Sequence, residues 1–567
     1  MSRRLSRSML LMASALTLSA IGASAGFAQE SDSQLGSIEK QIKALQAELH
    51  RMKLEAAERD RELKAAQAHA YAPPGPTNVA PLMPQIPAGY ALVPAAPGST
   101  PGSVVLAKAE APKEKPMPKG TFQVGAVTVQ LGGFFEAAGV YRSRNEVTDL
   151  ASSFTSGIPE RESPLYHEPE FVESSRQSRF QVGLSATPDE VTKLQAFFAA
   201  DFLGAAPTAN YNESNSWTPR LREAWIDYAR TDYGFYVLGG QTWTLLTMNK
   251  TGVNPLLIDL PLQIDPQYVV GLNWARQPQI RVAKNLGTDQ YWVALSVENA
   301  ATIVSGTAPT AGNFGFPAGS SINQLNAGIG VDANTSSYTN NFAPDVILKA
   351  TADYDIAHLE AYGVGRVFND RVSVLGSGKS DTVIGGGAGG GAMIHIIPKM
   401  LDFHISGLAG EGVGRYGTSQ LPDTTYNYQG KPTPLPGYSA YAGLIAHPDA
   451  QNDIYAYFGV EHVSDRYDTG LVKGKLATLA GYGSDLINNI SCGTELSDTP
   501  AACSPTTSGD AQINVGNWYK FLQGPYGTMQ VGLQYSYTRR FVFQGIGPTP
   551  KTDENMLFFS FRWYPFT

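Results

Sequence analysis

From residue 121 to the C-terminal end, apolar and polar positions alternate with a period of two. Val127, Val129, Leu131, Gly133, Phe135, Ala137, Gly139 and Tyr141 form one face of the first run, and Thr128, Gln130, Glu136 and Arg142 lie on the other. Successive strand side chains point to opposite faces, so such a run predicts a strand with a greasy side and a wet side. Phe180, Val182 and Leu184 repeat the pattern, as do Tyr291, Val293, Leu295 and Val297, and Met529, Val531, Leu533 and Tyr535. We read sixteen such segments, starting near residues 127, 176, 191, 219, 233, 270, 289, 344, 357, 381, 400, 438, 453, 511, 527 and 554.

The connections sharpen this reading, because they alternate in length. Tight ones include Thr187-Pro188-Asp189-Glu190, Arg230-Thr231-Asp232, Asp355-Ile356-Ala357, Pro398-Lys399 and Gly524-Pro525-Tyr526-Gly527; long ones cover 143–175, 244–269, 300–343 and 464–510. Short turns at one end and long loops at the other predict an all-β, 16-stranded antiparallel transmembrane β-barrel over 120–567. A soluble sandwich or propeller does not place its long loops on every second connection. Hydrocarbon cannot satisfy edge amides, so strands facing lipid must close on themselves, and closure at this size predicts a water-filled lumen.

Other patterns precede the barrel. Arg3, Arg4 and Arg7 stand before an apolar run from Met9 to about Ile21, and Gly26-Phe27-Ala28 offers a cleavage site, so 1–28 reads as a secretory signal peptide. In 29–70, Leu35, Ile38, Ile42, Leu45, Leu49, Met52, Ala56 and Leu63 fall on heptad positions a and d, interrupted at Arg59. This predicts a short coiled-coil helix whose apolar seam needs partners, hence self-association. Residues 71–119 hold twelve prolines. At that density neither helix nor sheet ladder is expected, only a semi-rigid spacer. No further stretch of about 18 apolar residues supplies a spanning helix.

Losing the signal peptide moves the formal charge from −8 to −11, which argues against nucleic acid as a partner. Cys492 and Cys503 share one polar loop, and in an exported chain they are candidates for a disulfide. Enzymatic motifs are formal only. Gly385-Gly386-Gly387-Ala388-Gly389-Gly390 fits GxGxxG, but the residues after it read as strand and supply no helix N-terminus for a phosphate. That glycine run points instead to close packing against a neighbouring protomer or an inward-folded loop. Ser373 stands where a P-loop ending in Gly378-Lys379-Ser380 needs its first glycine, and neither HExxH nor GxSxG occurs. No catalysis and no cofactor are expected.

The polar strand phase places Arg142, Arg179, Lys193, Lys349, Arg366 and Arg540 in the lumen, facing Glu136, Asp201, Asp227, Glu298, Asp353, Glu360 and Glu461. Opposed charges in a wet constriction select solutes by charge and size. The segment Leu245 to Gln267 is unusually apolar for a loop, with Leu256-Leu257-Ile258-Asp259-Leu260-Pro261-Leu262, and is expected to fold against the inner wall and narrow the passage. The last strand ends in Trp563-Tyr564-Pro565-Phe566-Thr567, with the terminal aromatic of outer-membrane proteins in the penultimate place.

A coiled coil and proline-rich spacer before a barrel resemble the trimeric DcaP-like porins. So do the runs Leu238-Gly239-Gly240-Gln241-Thr242-Trp243, Arg276-Gln277-Pro278-Gln279-Ile280-Arg281, Ser296-Val297-Glu298-Asn299 and Gly410-Glu411-Gly412-Val413-Gly414-Arg415-Tyr416, over most of 35–415. The resemblance implies a homotrimeric channel in outer-membrane lipid, passing small anionic solutes such as dicarboxylates, with the N-terminal helices in the periplasm and peptidoglycan an open question as a partner. It makes Arg276 and Arg281 candidate anion contacts. Five residues separate them, so a regular strand turns only one inward. Pore candidates are therefore Arg179, Arg276, Arg281, Arg366 and Glu298. The alternative reading is a structural or adhesive envelope protein that grips periplasmic partners through its helix.

Overall fold

The computed structural model describes residues 90–94, 104–108 and 118–567, apart from 205–213, 313–315, 328–336 and 496–502. The signal peptide and the heptad segment lie outside the described residues. The chain divides into two compact units, 1–114 and 115–567. In the first, Tyr90–Pro94 pairs antiparallel with Val104–Lys108, from Tyr90 opposite Lys108 to Pro94 opposite Val104. This corrects the expectation that the spacer carries no ladder. Proline falls only on the last residue of one strand, where its missing N–H costs least.

The second unit is a closed antiparallel barrel. Its sixteen spanning strands are β1 (Val127–Arg142), β2 (Arg179–Ala186), β3 (Thr192–Asp201), β4 (Arg220–Arg230), β5 (Phe235–Trp243), β6 (Arg276–Asn285), β7 (Tyr291–Glu298) and β8 (Asp345–Tyr354), then β9 (Ala357–Val374), β10 (Ser377–Ile397), β11 (Leu401–Glu411), β12 (Pro436–Ala446), β13 (Asn452–Val463), β14 (Thr507–Gly524), β15 (Gly527–Val542) and β16 (Thr552–Tyr564). β16 closes on β1, with Met556 opposite Arg142 and Trp563 opposite Phe135. Alternation sorts the faces. Phe135, Phe180, Ile226, Ile280, Leu348 and Phe559 are exposed on the outside, while Glu136, Asp227, Arg281, Lys349, Gln534 and Ser560 are buried within. An apolar exterior around a polar interior is the arrangement of a barrel in a bilayer.

Tight and long connections alternate, with one exception. β9 and β10 meet through Leu375 and Gly376 alone, at the end where the other connections are long. Gly376 takes the left-handed turn conformation, and the two strands, 18 and 21 residues long, do the reaching that a loop does elsewhere. Both ends of the barrel's own sequence lie at the tight-turn end, where the Lys119 ammonium donates to the carbonyls of Gly524 and Thr567.

The interior is more filled than strand number alone implies. The connection 244–275 runs as a strap around the inner wall. Its backbone amides donate to Glu298 from Leu245 (3.0 Å), Glu360 from Asn249 (2.7 Å), Gln534 from Ile264 (2.6 Å), Gln512 from Val270 (3.1 Å) and Glu461 from Gly271 (2.8 Å). A buried segment without its own ladder must have such acceptors. Ile264, Tyr268, Val269 and Leu272 pack with Val140, Tyr441, Tyr455, Trp518 and Phe558 from the wall, and Leu245, Leu246 and Val253 with Trp225, Tyr236 and Tyr362. The glycine run of β10 serves this packing. A Cβ on Gly391 would lie 2.7 Å from the strap's Met248 sulfur, and one on Gly389 the same distance from the Tyr362 ring.

Candidate functional site

The far half of the strap passes a group of arginines. Arg179 opens β2 and sits over the Phe134 ring at 5.3 Å. Its Nε is buried without a hydrogen-bond partner. Arg276 opens β6 and stands 5.2 Å from the centres of both Trp243 and Trp274. Neither arginine has an ion-pair partner among the described residues.

The third member, Arg222, comes from a bulge. The register between β3 and β4 slips where Ala199 faces Glu223 and Ala200 faces Leu221, leaving Arg222 without an opposite residue. Both Arg222 and Glu223 are therefore buried inside, although strict alternation sends one of them outward. Arg222 pairs with Asp201 at 2.7 Å, and Arg220 grips the same carboxylate with two bonds of 3.0 Å. Glu223 accepts from Thr242 (2.8 Å) and from the Trp243 indole (3.0 Å), fixing the ring under Arg276.

Arg222 also donates to the Tyr268 hydroxyl at 3.3 Å. Tyr268 belongs to the strap, and its φ of 70° is left-handed, a conformation a bulky side chain adopts only when its surroundings enforce it. Its ring meets Trp243 and Trp274 edge-on, with centres 6.1 and 5.4 Å away. Burial pushes its phenol up, but Arg222, Arg179 and Arg276 outweigh burial and hold it below the ordinary tyrosine value. Nearby Asp265 accepts from the Ser152 and Gln267 amides, and burial pushes its carboxyl up to about 6. Between strap and wall lies a cavity of about 360 Å³ lined by Arg179, Arg222, Arg562, Asp265 and Tyr268, with Phe566 and Thr567 at its edge.

The five pore candidates read from the sequence thus part company. Arg179 and Arg276 converge on Tyr268. Arg281 lies beside them, donating to the Trp243 carbonyl at 2.6 Å and to Gln279 at 3.2 Å. The strand-phase argument let only one of Arg276 and Arg281 face inward. Arg276 joins the inner cluster because it is the first residue of β6, where the chain comes off the strap and the pleat does not yet fix its side. Glu298 holds the root of the strap through Leu245 and takes a second bond from Ser296 at 2.8 Å. Arg366 stands apart, bound to Asp423 (2.7 Å), Asp345 (3.2 Å) and the carbonyls of Gly412 and Ala301. Cys492 and Cys503 are joined, with Cα atoms 4.7 Å apart. Arg222 carries no signal in the alternation. Tyr268 lies one residue beyond the apolar segment that marks the strap.

A closed sixteen-stranded antiparallel barrel, with long loops at one end and a strap folded into its interior, has the architecture of the outer-membrane porins. Among solved structures it is similar to the outer membrane channel DcaP of Acinetobacter baumannii, at 15% identity and a TM-score of 0.51, over 77% of this chain and 98% of that one. More distant similarities are to OmpT of Vibrio cholerae in its trimer form (10% identity, TM-score 0.39, 78% of this chain and 100% of that one) and to an anion-selective porin from Comamonas acidovorans (9%, 0.40, 77% and 99%). No protein-family model and no curated protein matches the chain.

Proposed function

We propose that this chain is an outer-membrane porin through which small anionic solutes, dicarboxylates among them, diffuse passively. The observation that carries the reading is the convergence of Arg179 and Arg276, both without an ion-pair partner among the described residues, beside the strap. A buried charge without a counter-ion is costly, and a permeating anion offsets that cost in passing. The aromatic faces of Phe134, Trp243 and Trp274 hold the guanidiniums in place while leaving their N–H donors available. Tight turns face the periplasm in barrels of this kind, and we assign the association of copies to that compartment. There the heptads of 35–63 draw three copies together.

The test is the reversal potential of the purified protein in a planar bilayer under a potassium chloride gradient. The reading expects an anion-preferring sign and unit steps that come in threes. A cation-preferring sign overturns the anion assignment. Swelling of protein-loaded liposomes should be faster in dicarboxylates than in neutral sugars of equal size.

A further inference from the structure

The strap presents a hydroxyl oxygen to an arginine that already holds a carboxylate. We propose that Tyr268 is a tethered stand-in for the permeating anion: its hydroxyl rests on the arginine cluster until a solute carboxylate displaces it. The inference rests on the anion-passage reading and goes beyond it by assigning the residue that sets how tightly a solute is held.

Four observations converge. The hydroxyl oxygen accepts from Arg222, the cluster member that already holds a carboxylate through Asp201. Arg179 and Arg276, which face the same ring, have no ion-pair partner of their own among the described residues and share with Arg222 only the more distant charge of Asp201. The left-handed backbone at Tyr268 is a strained state that relaxes if the side chain lets go. The adjoining cavity of about 360 Å³ gives a small solute a place from which to compete. Carboxylates accept from guanidinium in paired, charge-assisted bonds that a phenol cannot match, so the exchange favours a true anion.

The charged groups facing the phenol come from each neighbouring element: Arg179 of β2, Asp201 of β3, Arg220 and Arg222 of β4, and Arg276 of β6. Arg562 of β16 lines the same cavity, and Asp265 lies on the strap itself. Positive charge dominates. The phenol therefore ionises at lower pH than a free tyrosine, and as phenolate it competes harder with the solute.

The experiment compares the wild type with Y268F in planar bilayers, using succinate as the probe of current block. Removing the hydroxyl should lower the half-blocking succinate concentration by about fivefold. Raising the pH from about 7 to about 10 should reduce anion preference in the wild type more than in Y268F. Equal block and equal alkaline decline in both proteins overturn the proposal while leaving the porin reading standing. A wild type that prefers cations overturns the reading on which it rests. Should Y268F fail to assemble, Y268N carries the same comparison, because asparagine suits the left-handed backbone.

Discussion

At the scale of single residues, the arginines inside this barrel differ by what they touch. Arg366 is a pillar. It joins β9 to Asp345 of β8, to Asp423 of the 412–435 connection and to the carbonyl of Ala301, holding two long loops against the wall. Arg366→Met would strand two buried carboxylates and should cost about 3–5 kcal/mol, read as an earlier thermal loss of β-sheet circular dichroism in detergent micelles. An unshifted transition would show that the loops stand without it. Among the described residues Arg179 and Arg276 lack such partners, a difference invisible in a list of inward-facing arginines. Glycines divide in the same way. A Cβ at Gly389 would stand 2.1 Å from the Gly407 carbonyl oxygen, whereas one at Gly365 meets nothing within 4 Å. Gly389→Ala should destabilise by about 1–3 kcal/mol and Gly365→Ala should be neutral in the same melting assay.

At the scale of elements, the strands were legible because a bilayer-facing wall imposes period two along its greasy side. The strand beginning read near residue 127 is the observed one, and those read near 191, 219 and 400 lie one residue from Thr192, Arg220 and Leu401. The same rule hid the site. Arg222 is inward only because of a bulge, and Arg276 only because it stands where strap becomes strand. The strap was legible as apolar, since Leu256 to Leu262 has no place in water, but its path depends on acceptors scattered over five strands, β7, β9, β13, β14 and β15. Its first part is a small hairpin in which Asn249 bridges Ile258, the Lys250 amide meets the Leu257 carbonyl at 2.7 Å, and Val253 is buried against the wall cluster. Replacing 250–257 by two glycines keeps the ends together and should enlarge the unit conductance without weakening ion preference, because the arginines lie by the other half. Loss of preference together with the gain would place selectivity in the hairpin instead.

At the scale of the whole molecule, a polar interior, an apolar exterior and an inward strap together have the architecture of an outer-membrane channel. Sixteen strands alone predict an open, wet interior. Here the strap of 244–275 packs against the inner wall and occupies part of that interior. The segment before the barrel has a separate role in this account. Deleting 29–119 should leave the conductance of each barrel intact and disperse the steps of three, seen as single-unit openings. Undiminished triplets would assign association to the barrel wall. Whether Arg179 and Arg276 set the proposed preference is read from the reversal potential of R179Q/R276Q beside the wild type under one salt gradient. The wild type should favour chloride, and the double variant, at equal conductance within about twofold, should lose most of that preference. A double variant as anion-selective as its parent would contradict the proposal.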